Sequence, residues 1–181
     1  MNIIQTFIPA PLCRECKIVK SQKELDEIPD DFTGYIIIEF GDSTSGPAIV
    51  TKIYNNAVIR VMRNHLVYIE SKAINIIEAY DNSDILAYHY AIIYAYGDSH
   101  VIARDNTYII AYGNSKIEAF GKSKVDAYWN STIKACDSST INAHDNSEIF
   151  LYDNSTAVTY KGSTIHICGN DVVFTRDNFR E

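Results

Sequence analysis

The sequence predicts an all-β fold, a β-solenoid (β-helix) of octapeptide strands, and three observations predict it. From Asp81 to Cys168 one eight-residue unit, plainest in Asp81-Asn82-Ser83-Asp84-Ile85-Leu86-Ala87-Tyr88, recurs eleven times without an insertion. A fixed short period marks a chain that stacks on itself instead of folding around one globular core. Within the unit, position three is Ser in nine copies (Ala91 and Thr107 differ), position five is Ile or Val in ten (Ala157 differs), and position seven is Ala in eight. This is the period-two alternation of a short strand with one buried face. Positions eight, one and two then bring an aromatic residue, Asp or Gly, and Asn. Such residues tolerate left-handed backbone or bond nearby amides, so they form corners. A helix is excluded because an Ile every eight residues drifts around a 3.6-residue turn.

The outward residues set the size of the coil. Taking alternate units places Tyr80, Tyr96, Tyr112, Tyr128, His144 and Tyr160 on one edge, and Tyr88, Arg104, Phe120, Cys136, Tyr152 and Cys168 on the other. A three-way split mixes residue types on every edge. The two-way split gives an edge ladder of Tyr96, Tyr112, Tyr128 and Tyr160 with rings at the strand spacing of about 4.8 Å. It also sets Glu118 beside Lys134. Two octads, sixteen residues, are therefore expected per coil, with serines free to hydrogen-bond along their own stack.

The ends depart from the repeat. Residues 1–54 read as a small α+β capping region: Ser21-Gln22-Lys23-Glu24 has the form of a capping box opening one short helix before Pro29. Tyr35-Ile36-Ile37-Ile38-Glu39-Phe40 reads as a strand. Residues 55–170 form the solenoid, degenerate at Ala57–Val61 and His65–Ile69, with a two-residue insertion near Ser71-Lys72. Residues 171–181 leave the period with Arg176, Asp177, Arg180 and Glu181, which suits a polar cap over exposed strand edges.

Composition narrows the function classes. A net charge of −7 and a pI near 5.2 argue against direct binding of nucleic acid, which needs a basic face. The start lacks a basic region leading into an apolar run, and no stretch has membrane-spanning length, so a cytoplasmic protein without membrane contact is expected. Cys13-Arg14-Glu15-Cys16 is a single CxxC with no second ligand pair nearby, so no metal is expected. Cys136 and Cys168 fall two coils apart, roughly 9–10 Å and beyond disulfide reach. His65, His89, His100, His144 and His166 occupy different octad positions and build no metal or nucleophile site. Asp137, Asp145 and Asp153 sit at corners, where they serve as turn formers. No catalytic residue and no cofactor are therefore expected. Outward Thr132, Thr140, Thr156 and Thr164 are split between faces and make no regular ice-binding row.

The strongest functional signal is apolar. Outward Ile92, Tyr94, Tyr108 and Ile110 fall on one face on adjacent rungs, with Leu86 and Ile102 on the opposite face; later units carry Lys124, Asp126, Thr140 and Asn142 there. A patch this apolar marks an interface, unless the N-terminal residues cover it, and a homodimer is its simplest use. The motif Asp/Gly-Asn-Ser-x-Ile/Val-x-Ala-Tyr over residues 55–170, led by Ile28-Pro29-Asp30-Asp31-Phe32-Thr33-Gly34-Tyr35-Ile36, resembles octapeptide-repeat proteins common in phage, prophage and gut-bacterial genomes. The resemblance implies a small non-catalytic protein that binds a host or defence component, of which an anti-CRISPR protein is one kind. The competing reading is a carbohydrate-binding or carbohydrate-active solenoid using edge aromatics and carboxylates.

Overall fold

A computed structural model describes residues 15–40, 46–52, 57–62, 65–70, 75–160 and 162–177. The first elements are β1 (Cys16–Val19), α1 (Gln22–Asp26), β2 (Gly34–Ile38), β3 (Ala48–Val50), β4 (Ala57–Val61), β5 (Leu66–Ile69) and β6 (Asn75–Ala79). The regular array supplies β7 (Asp84–Ala87), β8 (Ala91–Ala95), β9 (His100–Ala103), β10 (Tyr108–Ala111), β11 (Lys116–Ala119) and β12 (Lys124–Ala127). It continues through β13 (Thr132–Ala135), β14 (Thr140–Ala143), β15 (Glu148–Leu151), β16 (Thr156–Thr159), β17 (Thr164–Ile167) and β18 (Val173–Arg176).

Alternate strands go to opposite sheets. The long sheet runs β1-β2-β4-β6-β8-β10-β12-β14-β16-β18 and the short sheet β17-β15-β13-β11-β9-β7-β5-β3, with every pair parallel. Ile93 pairs with Ile109 and Ile109 with Val125, so one coil takes sixteen residues, as the tyrosine edge predicts. Val58 pairs with Ile76 and Val67 with Ile85, eighteen residues on, which places the two-residue insertion between Ile69 and Asn75.

The ladder extends past both boundaries drawn from the octad. Strands β1 and β2 already belong to the long sheet, and β3 to the short one. Val173–Arg176, read from sequence as part of a polar cap, pairs with β16 as one more strand. Backbone pairing thus runs beyond the octad consensus: β2 keeps a buried face, whereas β18 is exposed at all four residues. The one helix is capped as read: the Ser21 side chain accepts from the Glu24 N–H at 3.3 Å, the Glu24 carboxylate accepts from the Lys20 N–H at 2.7 Å, and Leu25 is buried.

The core is the thin layer between the sheets. Ile93, Ile109, Ile133, Ile141 and Ile149 are fully buried, as are Ala95, Ala111, Ala135, Ala143 and Leu151 two residues on. Burying each such Ile contributes about 1.5–3 kcal/mol. The serines at position three are equally buried, but their hydroxyls do not bond along the stack. Ser147, Ser155 and Ser163 instead donate to the corner carbonyl three residues back (2.7, 2.6 and 2.8 Å), and Thr107 does the same at 2.8 Å. Among the described residues, the hydroxyls of Ser83, Ser99, Ser115, Ser123, Ser131 and Ser139 are buried without a partner. A buried hydroxyl without a partner lowers stability, whereas a bonded one contributes to it. Ser115→Ala is therefore expected to raise stability by about 1 kcal/mol and Ser155→Ala to lower it by about the same. Denaturant melts of the two variants check this, and a shared sign would contradict it.

The corners are left-handed at position one. Asp81, His89, Asp105, Trp129, Asp137, Asp145 and Asp153 all have φ between 53° and 65°. Asp suits this position for a second reason. The carboxylates of Asp105, Asp137, Asp145 and Asp153 accept the N–H of the corner residue one coil earlier, that of His89, Gly121, Trp129 and Asp137, at 3.0, 2.9, 3.1 and 3.2 Å. These aspartates staple one coil to the next.

Candidate functional site

The outer face of the long sheet carries the apolar patch. Register sets Tyr108 beside Ile92 and Ile110 beside Tyr94, the four residues that sequence grouped together. The same column runs on through Ile76, Val58 and Tyr35, so it spans five rungs before Lys124 ends it. Sequence reading missed Ile76, Val58 and Tyr35 because the octad is degenerate there; their alternation with buried Ile77, Ile59 and Ile36 is the signal that finds them. All are half-buried, because on a flat parallel sheet each side chain shields its neighbours. Strands β1 and β2 lengthen this sheet instead of lying across it.

Two charged groups bordering the patch are paired internally, while exposed Lys124 ends it beside Tyr108. On one side the Arg60 Nε meets Glu78 Oε2 at 2.6 Å, the Tyr80 hydroxyl donates to the same oxygen at 3.1 Å, and the Arg60 guanidinium lies 3.8 Å from the centre of the Tyr35 ring. On the other side Asp126 accepts from the Tyr108 hydroxyl and, at 2.7 Å, from the Asn142 amide. Burial and then the Glu78 charge push the Tyr80 phenol up, and the hydrogen bond to Asp126 does the same for Tyr108. Leu86 and Ile102 stand together on the short sheet, preceded by Tyr68 and followed by Glu118, which pairs with Lys134 at 3.9 Å.

The edge ladder forms as read. Tyr80, Tyr96, Tyr112, Tyr128, His144 and Tyr160 stack with centroids 5.0, 5.4, 5.3, 4.6 and 4.2 Å apart, none tilted by more than 17°. Three other histidines each face a carboxylate on a neighbouring coil: His89 with Asp105 (3.3 Å), His100 with Asp84 (3.1 Å) and His166 with Glu148 (2.8 Å). Cys16 and Cys168 are exposed, and Cys136 is buried, which pushes its thiol pKa up. Cys13 lies outside the described residues. Among the described residues no group of three or more His, Cys, Asp or Glu is placed to hold a metal ion, and no helix is long and apolar enough to cross a membrane.

Among the described residues, the exposed aromatic residues Tyr90, Trp129 and, on the last strand, Phe174 escaped the sequence reading. Tyr90 is 49% exposed and Trp129 is 58% exposed, and these two interrupt the Asp/Gly-Asn corner. The signal was the unit that departs from consensus, not the consensus itself. No protein-family model, curated protein or solved structure matches the chain.

Proposed function

We propose that this chain is a non-enzymatic interaction protein, a rigid solenoid that docks a protein partner on the outer face of its long sheet and forms a homodimer through it. The observation that carries this reading is the combination of patch and rim. Ile76, Ile92, Tyr94, Tyr108 and Ile110 are contiguous, and the charges beside them, Arg60 with Glu78 and Asp126 with Tyr108 and Asn142, already have partners. Covering such a face removes apolar area from water while these charges keep their partners and exposed Lys124 stays at the rim, as at the core and rim of a protein interface. A two-fold arrangement is the simplest closed use of one such patch.

The corner aspartates have a structural task in stapling coils, which supports a scaffold over a carboxylate-based enzyme. The resemblance of the octad to phage and prophage repeat proteins supports a phage-encoded cytoplasmic protein that inhibits a host defence system, of the anti-CRISPR kind. The double variant Ile92→Asp with Tyr108→Asp is expected to halve the mass seen by light scattering while leaving the β-sheet circular dichroism intact. An unchanged mass and solubility would remove the interface.

A further inference from the structure

The tyrosine edge carries a second feature, at the corner column beside the ring ladder. On successive coils the position-one residues of this edge are Asp81, Gly97, Gly113, Trp129 and Asp145. Gly97 and Gly113 leave two rungs without a side chain, about 10 Å along the stack at the strand spacing. The Tyr96 and Tyr112 rings flank this gap on one side. On the other stand exposed Asp98 and Asn114, joined by a hydrogen bond of 3.2 Å from the Asn114 amide to the Asp98 carboxylate. Asp81 closes one end. At the other end Trp129 leans back over the Gly113 corner, its ring 5.6 Å from that of Tyr112 and tilted by 56°. The result is a short trough with a bare backbone floor, one polar wall, one aromatic wall and an exposed indole at its head.

The stapling rule shows what is missing from the floor. At His89, Gly121, Trp129 and Asp137 an Asp carboxylate from the next coil takes the position-one N–H. Above Asp81, Gly97 and Gly113 stand Gly97, Gly113 and Trp129, so no such carboxylate reaches these three amides. The Trp itself is a departure from what the corner favours. It holds φ 59°, a conformation that suits Gly or Asp, and it exposes its indole where Asp would add a staple.

We propose that this trough binds a neutral sugar, one pyranose ring stacking on the Trp129 indole with its hydroxyls on Asp98, Asn114 and the Gly97 amide. Charge and geometry select the class. Both faces of the Tyr112 ring are covered by Tyr96 and Tyr128, so the rings form no cage for a cation, and only the indole offers a flat open surface. Asp81 and Asp98 at the walls, on a chain of net charge −7, disfavour an anion such as nucleic acid. A pyranose has an apolar C–H face that complements the negative face of an aromatic ring. Its vicinal hydroxyls suit a carboxylate acceptor set beside amide donors.

Trp129 is the only tryptophan of the chain, so its fluorescence reports this corner alone. Titration of the full chain with cellotetraose, maltotetraose and chitotetraose is expected to give a saturable change in emission with one of them, half-complete at about 1 mM or below. Gly97→Asp fills the floor and places a carboxylate over the Asp81 amide. Gly97 lies at φ 66°, which strains a side chain, but Asp holds the same conformation at Asp81 and Asp145 and the added Cβ meets only ordinary contacts of 3.5–3.7 Å, so the cooperative fold is expected to be retained while sugar affinity falls roughly tenfold or more. Ile92→Asp with Tyr108→Asp is expected to leave the sugar titration intact, which separates this site from the interface. No emission change with any of the three sugars at millimolar concentration, or undiminished binding by Gly97→Asp, would overturn the assignment.

Discussion

Ile133→Asp is expected to abolish the cooperative melting of the solenoid, whereas Thr132→Asp, one residue away, is expected to leave it within about 0.5 kcal/mol of the parent. Ile133 is fully buried between Ile117 and Ile149 on neighbouring rungs of the short sheet, while Thr132 faces outward beside Lys116 and Glu148. Truncating a buried Ile costs about 2–5 kcal/mol, and a carboxylate buried without a partner costs several more. Together these rival the whole stability of an ordinary domain, about 5–15 kcal/mol. In a solenoid each coil is held mainly by its two neighbours, so a failed coil in the middle divides the array into two shorter ones. Thermal circular dichroism of both variants checks the pair. Equal melting would contradict the inward assignment of Ile133.

The architecture was legible because two independent patterns in the octad had to agree. Alternation of Ser, Ile and Ala fixes which face is buried, and the recurrence of Tyr at every second corner fixes the parity of the coil. Tyr96, Tyr112 and Tyr128 can stack only if strands sixteen residues apart are neighbours, which is how β8, β10 and β12 lie. The hydroxyl pattern was not legible. Whether Ser115 reaches along the stack, back to the corner carbonyl, or to nothing depends on a rotamer, and the repeat specifies only that the residue is small. The extent of the ladder was likewise hidden. β2 keeps the alternation, with Ile36 in the inward register of Ile59, but lacks the Asp-Asn-Ser corner by which the repeat is recognised; β18 is exposed at all four residues and joins the ladder through its backbone pairing with β16.

The candidate sites were legible in proportion to how far they disturb the repeat. Ile92, Tyr94, Tyr108 and Ile110 stand where later coils carry Lys124, Asp126, Thr140 and Asn142, so comparison of units exposes them. Tyr35, Val58 and Ile76 enlarge the same patch from outside the clean array, and only the strand register joins them to it. Trp129 was missed for a different reason. Position one was read as a turn former, and a turn former needs no other role. Its stapling contribution shows only when the Asp carboxylates are seen on the amides of the preceding coil, and the loss of that contribution at Trp129 then becomes informative.

Stability is expected to hold up to about pH 10 and then to fall steeply, because Tyr80, Tyr96, Tyr108 and Tyr128 on this face and edge are held neutral by the fold. Burial pushes the Tyr80, Tyr96 and Tyr128 phenols up, with the Glu78 charge adding to the first two and Asp126 to the third; the hydrogen bond to Asp126 raises Tyr108. A phenol whose folded pKa lies above its unfolded one favours the folded state fully below the unfolded value, near 10, and loses that contribution as pH rises through the folded value. Four such groups lie within a few rungs of one another, so their loss is concerted: a phenolate at Tyr80 meets Glu78, and one at Tyr108 meets Asp126. Following phenolate absorbance and sheet circular dichroism together is expected to show a delayed class of tyrosines that ionises as the sheet is lost. Glu78→Gln removes the charge that raises Tyr80 and Tyr96 and leaves Arg60 to favour their phenolates. The fall above pH 10 should then be shallower. A single class of tyrosines titrating near pH 10 with the sheet intact would show that the ladder does not hold its phenols neutral.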